Sequence, residues 1–168
     1  MTTDELKKLA TAFRIELLHI THKAGSGHAT TALSCIDIIT LLYFGDIDGL
    51  SVMVYDPKKP QSEKRDYFIL SKGHGCPALY VALAHAGYFP KDELDHFRQL
   101  NGLLQGHRVN RIPGIEARTG PLGQGLSFAN GIALALKMDK KLNRIFVLLG
   151  DGELQEGQIW EAALTSAE

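Results

Sequence analysis

The strongest chemical signal in the sequence is an aspartate between two glycines at the end of an apolar run. Residues 146–153 read FVLLGDGE, which predicts a buried strand that delivers Asp151 to its carboxyl end, where ligands bind in open parallel sheets. Gly150 and Gly152 leave room for a ligand against the backbone, and the helix that follows offers N–H groups to an anion. A carboxylate beside an anion site suits a diphosphate bridged by Mg²⁺. The alternative is that Asp151 caps the next helix, and the triplet alone does not decide.

Three histidines follow a glycine in segments predicted as loops: His28, His74 and His107. A loop histidine can donate to a phosphate oxygen or transfer a proton near neutral pH. Taken singly, each is better explained as an ordinary surface or helix-end residue, but the three together with Asp151 favour a shared site. The remaining histidines fall within predicted helices and receive no role; they are His19, His22, His85 and His96.

A glycine-rich turn opens one of the predicted helices. Residues 119–125 read TGPLGQG, and this glycine spacing lets backbone groups contact a flat ligand or an anion. The turn does not match the dinucleotide-binding fingerprint, because no strand directly precedes it and its glycine spacing differs. It is therefore weak evidence alone and gains weight only from the other motifs.

The apolar periodicity predicts the elements that position these groups. Thr2 and Glu5 have the spacing of a capping box, and a helix follows them at helical apolar spacing. The predicted helices cover residues 3–21, 32–44, 77–86, 91–99, 127–138 and 158 onward, and the predicted strands cover 67–70 and 144–149. Strands that alternate with helices predict an α/β fold with a parallel sheet.

The composition limits the class of protein. The chain has 168 residues and a net charge of −1, so we expect a single domain and no nucleic-acid partner. No apolar run reaches the roughly 20 residues of a membrane helix, and the polar N-terminus is unlike a secretion signal. Cys35 and Cys76 lack metal-type spacing, which is typical of reduced packing residues in a cytoplasmic protein. Because two strands are few for a covered parallel sheet, we expect residues 1–168 to be a domain that is incomplete at its C-terminus.

Taken in order, these motifs resemble the successive motifs of transketolases. They occupy residues 26–28, 71–74, 106–107, 119–125 and 150–157, and the last one reads GDGELQEG. Other thiamine-diphosphate enzymes usually share only its first three residues. The resemblance implies the N-terminal portion of the diphosphate-binding domain of a transketolase, with a three-layer α/β thiamine-diphosphate-binding fold.

The resemblance also implies a reaction and a cofactor site. Transketolases move a two-carbon ketol unit from a ketose phosphate to an aldose phosphate, with thiamine diphosphate as the electron sink. Asp151 would bind Mg²⁺ or Ca²⁺, and the Gly152 N–H and His74 would contact the diphosphate. Gly120 and Leu122 would hold the aminopyrimidine ring through backbone groups.

The residues for the substrate and the subunit interface follow from the same resemblance. His28 and His107 would contact substrate hydroxyls, and His28 is also a candidate for proton transfer. Glu156 would lie at a subunit interface, coupled to a carboxylate of the facing domain. Members of the family usually have proline after the first and third Gly-His pairs, where this chain has Ala29 and Arg108.

Some parts of a transketolase site would follow Glu168 in the family pattern. They are the asparagine that completes the metal site, a later substrate histidine and the whole pyrimidine-binding domain. We therefore predict weak cofactor binding by the chain alone, a homo-oligomer that acts on sugar phosphates, and a partner that is a pyrimidine-binding domain or C-terminal transketolase subunit. The alternatives are an enzyme similar to 1-deoxyxylulose-5-phosphate synthase, or a non-catalytic fragment that self-associates through unpaired strand edges.

Overall fold

A computed structural model describes residues 1–107 and 112–167, so Arg108 lies outside the described residues. The helices are α1 (Thr3–Lys23), α2 (Ala29–Leu33), α3 (Ile36–Phe44), α4 (Cys76–Ala86), α5 (Gln124–Met138) and α6 (Gly157–Ser166). The strands are β1 (Asp46–Ile47), β2 (Leu50–Ser51), β3 (Tyr67–Leu70) and β4 (Ile145–Leu148). Single 3₁₀ turns cover Gly73–Gly75, Lys91–His96 and Gly152–Gln155.

The predicted parallel sheet is confirmed by the pairing of β3 with β4. Tyr67 lies opposite Ile145, and the register runs to the end of both strands. Asp66 fixes this register where the strands begin. Its carboxylate accepts hydrogen bonds from the Arg144 backbone N–H at 2.8 Å and from the Arg144 guanidinium at 2.6 Å. The carboxyl ends of both strands consequently lie side by side.

Helices cover both faces of these two strands, which gives three layers. Phe68 and Leu70 pack into the core formed with α1, α3 and α4. Ile69 is fully buried and points to the opposite face, because successive side chains alternate along a strand. On that face α5 packs against both strands and α6 packs against α5. Cys35 and Cys76 both lie within the described residues, where they are buried and form no disulfide bond, which agrees with their prediction as packing residues.

The prediction of a single buried helix over residues 32–44 is wrong. The chain forms α2 and α3 instead, with Cys35 between them in a non-helical conformation. The Cys35 thiol and the Ser34 hydroxyl donate to carbonyl groups at the end of α2, and such side-chain donors compete with the helical hydrogen bonds. Ile38 and Leu41 of α3 are also about half exposed, at 52% and 45%.

Three smaller differences concern irregular elements. The helix predicted over residues 91–99 is a shorter 3₁₀ turn, and α5 begins three residues before its predicted start. The loop after α3 contains a small antiparallel hairpin of β1 and β2 that the sequence did not predict. Within the described residues, no helix combines the length and apolar character needed to cross a membrane.

Candidate functional site

The segments that follow β3 and β4 lie next to each other because the two strands are parallel. The Ser71 N–H donates to the Leu148 carbonyl at 2.9 Å and extends the pairing by one residue. Beyond it, the Lys72 side chain packs over the end of β4, where a Cβ on Gly150 would lie 3.4 Å from the Lys72 Cδ. The SKGH motif at residues 71–74 and the GDGE motif at residues 150–153 therefore meet at one edge of the sheet.

A buried carboxylate that sequence reasoning missed connects this edge to the glycine-rich turn. Glu153 is only 2% exposed. Its Oε1 accepts from the Ser71 hydroxyl at 2.5 Å and from the Gly123 N–H at 2.9 Å. Its Oε2 accepts from the Gly150 N–H at 3.0 Å. Because these hydrogen bonds satisfy the buried charge, Glu153 holds three separate segments together.

The glycine-rich turn is also seated directly against the segment after β3. The Thr119 hydroxyl donates to the Leu70 carbonyl at 2.5 Å. A Cβ at Gly73 would lie 1.4 Å from the Thr119 carbonyl oxygen, so only glycine allows this approach of the two backbones. The turn that begins at Gly120 is thus fixed beside the carboxyl end of β3.

The three loop histidines lie around the same turn. The imidazole rings of His28 and His74 are 5.3 Å apart at their centroids and meet edge to face. The Cδ2 of His107 would lie 3.8 Å from a Cβ placed on Gly120, and Gly120 follows Thr119, whose carbonyl contacts Gly73 beside His74. The structure therefore brings together the histidines that the sequence singled out.

Lys72 ties the helix that carries His28 to this region. Its ammonium group donates to the Thr31 carbonyl at 3.0 Å and to the Ser34 hydroxyl at 2.8 Å. The Thr31 hydroxyl itself lies 3.4 Å from the His74 Nε2. A buried lysine thus fixes α2, whose N-cap is His28, against the segment after β3.

Asp151 and Gly152 are exposed at the end of β4. Within the described part of the chain, the Asp151 carboxylate has no hydrogen bond or ion pair, and a Cβ at Gly152 would meet only open space. Asp151 follows Gly150, whose N–H donates to the Glu153 carboxylate. The Gly123 N–H of the turn donates to the same carboxylate. The Asp151 carboxylate is therefore available to an external ligand close to the turn and the histidines.

The residues present fit a cation that is shared with a ligand rather than enclosed by protein. Among residues 1–107 and 112–167, no cluster of three or more histidine, cysteine or carboxylate side chains could hold a metal ion. Mg²⁺ commonly binds to one or two carboxylates together with phosphate oxygens and water. Asp151 could supply one such carboxylate.

The remaining predicted residues, Leu122 and Glu156, lie within the turn and against it. Leu122 is 39% exposed. Glu156 is exposed, and its Cβ would lie 3.1 Å from a Cβ on Gly123. Gln158 joins this contact through hydrogen bonds with Gln124 at 2.6 and 3.1 Å. The start of α6 is thus packed against the start of α5.

We expect His74 to make stability depend on pH. Burial lowers the pKa of His74 below its ordinary value of 6.5, and the neighbouring His28 and Lys72 act in the same direction. Because the unfolded chain then binds the proton more readily, the free energy of unfolding should fall as pH drops below 6.5 and level off below the folded-state pKa. Imidazole proton shifts measured by NMR would give the pKa directly. A pKa of His74 above 6.5 would contradict this environment, and His74→Gln should reduce the pH dependence of the free energy of unfolding.

Comparison with known proteins assigns a family. The family model described as "Transketolase, thiamine diphosphate binding domain" matches residues 6–167. An apulose-4-phosphate transketolase subunit from Actinobacillus succinogenes is 44% identical over 171 residues, which cover 100% of this chain and 59% of the relative. The 6-deoxy-6-sulfo-D-fructose transketolase subunit SqwG of Clostridium sp. is 44% identical, over 95% of this chain and 56% of its own length.

A solved structure agrees with these relatives. The crystal structure of transketolase from Campylobacter jejuni superposes with a TM-score of 0.88 at 34% identity, over 96% of this chain and 26% of that one. The chain thus spans between 56% and 59% of the length of the two subunit relatives. Since the family match covers nearly every residue, the chain belongs to the transketolase family, as a thiamine-diphosphate-binding domain.

Proposed function

We propose that the chain is the diphosphate-binding subunit of a transketolase, which transfers a two-carbon ketol unit from a ketose phosphate to an aldose phosphate. One observation carries the proposal. Among residues 1–107 and 112–167 the Asp151 carboxylate has no hydrogen-bond or ion-pair partner at the end of β4, and the hydrogen bonds of Glu153 keep it close to the glycine-rich turn. A cation held by Asp151 can bridge to a diphosphate there.

The cofactor would lie across the edge formed by these segments. Asp151 would bind Mg²⁺ or Ca²⁺ together with the diphosphate oxygens, and the Gly152 N–H would donate to the same group. The lowered pKa of His74 keeps its ring neutral near pH 7, with one N–H to donate. The backbone groups of Gly120 and Leu122 would hold the aminopyrimidine ring. When bound, thiamine diphosphate supplies the nucleophilic carbon and the electron sink.

The substrate would be oriented by the two outer histidines. His28 and His107 would donate to or accept from sugar hydroxyls, and His28 would also transfer a proton, since an imidazole can do both near neutral pH. The contact of the His28 ring with the His74 ring supports this arrangement, because the residues proposed for substrate and for cofactor are then neighbours. Sugar phosphates are the proposed substrates, and the predicted cytoplasmic location goes with that proposal.

The proposed partner is a second subunit that carries the pyrimidine-binding domain. The two relatives are themselves named as transketolase subunits. In this chain α5 and α6 carry large apolar side chains that are more than half exposed; these are Phe128, Leu134, Met138, Trp160 and Leu164. Exposed apolar surface of this kind favours association, and Glu156 lies beside it at the start of α6. A homo-oligomer of such pairs is the proposed assembly.

Reconstitution tests the proposed function. The chain is mixed with a C-terminal transketolase subunit from the same organism, thiamine diphosphate and Mg²⁺, and ketol transfer from a ketose phosphate to an aldose phosphate is measured. We expect transfer only when all components are present, and only weak cofactor binding to the chain alone by calorimetry.

The same assay separates the alternatives. Consumption of pyruvate instead of a ketose phosphate would favour a synthase-like thiamine enzyme and contradict ketol transfer. Failure of both donors, together with self-association of the chain in solution, would favour the non-catalytic fragment. Tight stoichiometric binding of thiamine diphosphate by the chain alone would contradict the need for the partner.

A further inference from the structure

The buried carboxylate of Glu153 contacts neither the cofactor nor the substrate in the roles proposed above, although its hydrogen bonds join the segments around the site. We propose that Glu153 is a positioning residue that sets the spacing between Asp151 and the turn at residues 120–122, and thereby the spacing between the two ends of the cofactor site. This inference rests on the proposed function, because the spacing matters only if one ligand contacts both places.

The geometry fixes two backbone segments relative to each other. Oε2 of Glu153 accepts from the N–H of Gly150, the residue before Asp151. Oε1 accepts from the N–H of Gly123, the residue after Leu122. The two oxygens belong to one rigid, planar group, so Gly123 cannot move relative to Gly150 without the loss of a hydrogen bond.

The third hydrogen bond holds the carboxylate in place. The Ser71 hydroxyl donates to Oε1 at 2.5 Å and in turn accepts from the Gly125 N–H at 3.2 Å. Ser71 follows β3, whereas Gly125 lies in the first turn of α5. Glu153 is therefore anchored to the sheet and, through Ser71, to the helix that the turn opens.

The chemistry of the site requires a carboxylate rather than an amide. The Ser71 hydroxyl and the N–H groups of Gly123 and Gly150 are all donors towards Glu153. An ionised carboxylate only accepts, whereas the glutamine amide has one oxygen and one NH₂ group. A glutamine of nearly the same shape would therefore place a donor against at least one of these donors, at a position that excludes water.

A purely structural role and a positioning role predict different results. If Glu153 only stabilises the fold, its replacement lowers the free energy of unfolding, but the folded fraction binds the cofactor as before. If Glu153 sets the spacing, the folded variant binds the metal end and loses contact with the ring end. Replacement of a group that orients a metal ligand typically lowers the metal affinity about 10- to 100-fold.

The test adds Mn²⁺, in place of Mg²⁺, and thiamine diphosphate at millimolar concentration to the chain mixed with the proposed C-terminal subunit, and measures paramagnetic broadening of backbone amide signals of the chain by NMR. In the wild type we expect broadening at both Gly152 and Leu122. In Glu153→Gln we expect broadening at Gly152 as in the wild type, weaker broadening at Leu122 because its amide then lies farther from the metal, and about a 10- to 100-fold weaker affinity for thiamine diphosphate with Mg²⁺. Glu63→Gln makes the same chemical change on a side chain that is 82% exposed and should match the wild type.

Two controls keep the outcomes separate. If the wild type shows no metal-dependent broadening at Gly152, the proposed function itself fails. If the wild type binds but Glu153→Gln keeps both signals broadened as in the wild type and the same affinity, the positioning role is overturned while the proposed function stands. Should Glu153→Gln not fold, Ser71→Ala removes one of the three hydrogen bonds and keeps the carboxylate. Ser71→Ala should reduce both the affinity for thiamine diphosphate and the broadening at Leu122. If both stay as in the wild type, the positioning role is overturned.

Discussion

Replacement of Gly73 by alanine should lower the free energy of unfolding more than the same substitution at any other glycine of the site. The new Cβ would lie 1.4 Å from the carbonyl oxygen of Thr119 and 2.6 Å from its carbonyl carbon. Both are backbone atoms, so relief requires the turn to move away from β3. That movement would break the hydrogen bond from the Thr119 hydroxyl to the Leu70 carbonyl. We expect a destabilisation of about 4 kcal/mol or more, in the exceptional range for a point mutation.

Gly131 offers a matched control for this prediction. It lies within α5, and a Cβ there would have no atom within 4 Å. Gly131→Ala should raise the free energy of unfolding by about 0.5–1 kcal/mol, because alanine favours the helix over glycine. Urea unfolding followed by circular dichroism measures both variants. If Gly73→Ala were as stable as Gly131→Ala, the turn could not be seated against β3 as described.

Asp151→Asn should abolish metal-dependent cofactor binding and leave the fold intact. The Asp151 side chain is exposed and has no hydrogen bond within the described residues, so the free energy of unfolding should stay within about 0.5 kcal/mol of the wild type. Asparagine keeps the shape but removes the charge that attracts a hard cation. We expect the loss of affinity to exceed the roughly 10- to 100-fold typical of groups that only support a ligand.

Asp48→Asn makes the same change on an exposed aspartate, in the turn between β1 and β2, and should bind like the wild type. Calorimetric titration of thiamine diphosphate into the chain mixed with the proposed C-terminal subunit, with and without Mg²⁺, measures the cofactor affinity of the wild type and of both variants. Retention of full Mg²⁺-dependent binding by Asp151→Asn would mean that another oxygen ligand holds the metal.

The sequence predicted the parts of the site that depend on local pattern. The apolar residues 67–70 predicted a strand with the bounds that β3 has. The order of the motifs predicted a parallel sheet with His74 and Asp151 after its two strands. These predictions succeeded because a short apolar run followed by glycine and polar residues defines both a buried strand and its end.

The missed features depend on partners that are distant in the sequence. The break between α2 and α3 is coupled to Lys72, which bonds to Ser34 across 38 residues. Glu153 appears in the sequence as one acidic residue of the last motif, yet its partners Ser71 and Gly123 are 82 and 30 residues away. Only the folded chain shows that these donors converge on one carboxylate.

Anomalous diffraction tests most directly whether Asp151 and a diphosphate share one cation. Crystals of the chain are grown with Mn²⁺ and thiamine diphosphate, and the anomalous difference map locates the metal. We predict one peak at coordination distance from an Asp151 carboxylate oxygen, with diphosphate density on its other side near His74 and the turn at Gly120. A metal peak elsewhere, or cofactor density that does not reach Asp151, would contradict the assignment of this edge of the sheet as the thiamine-diphosphate site.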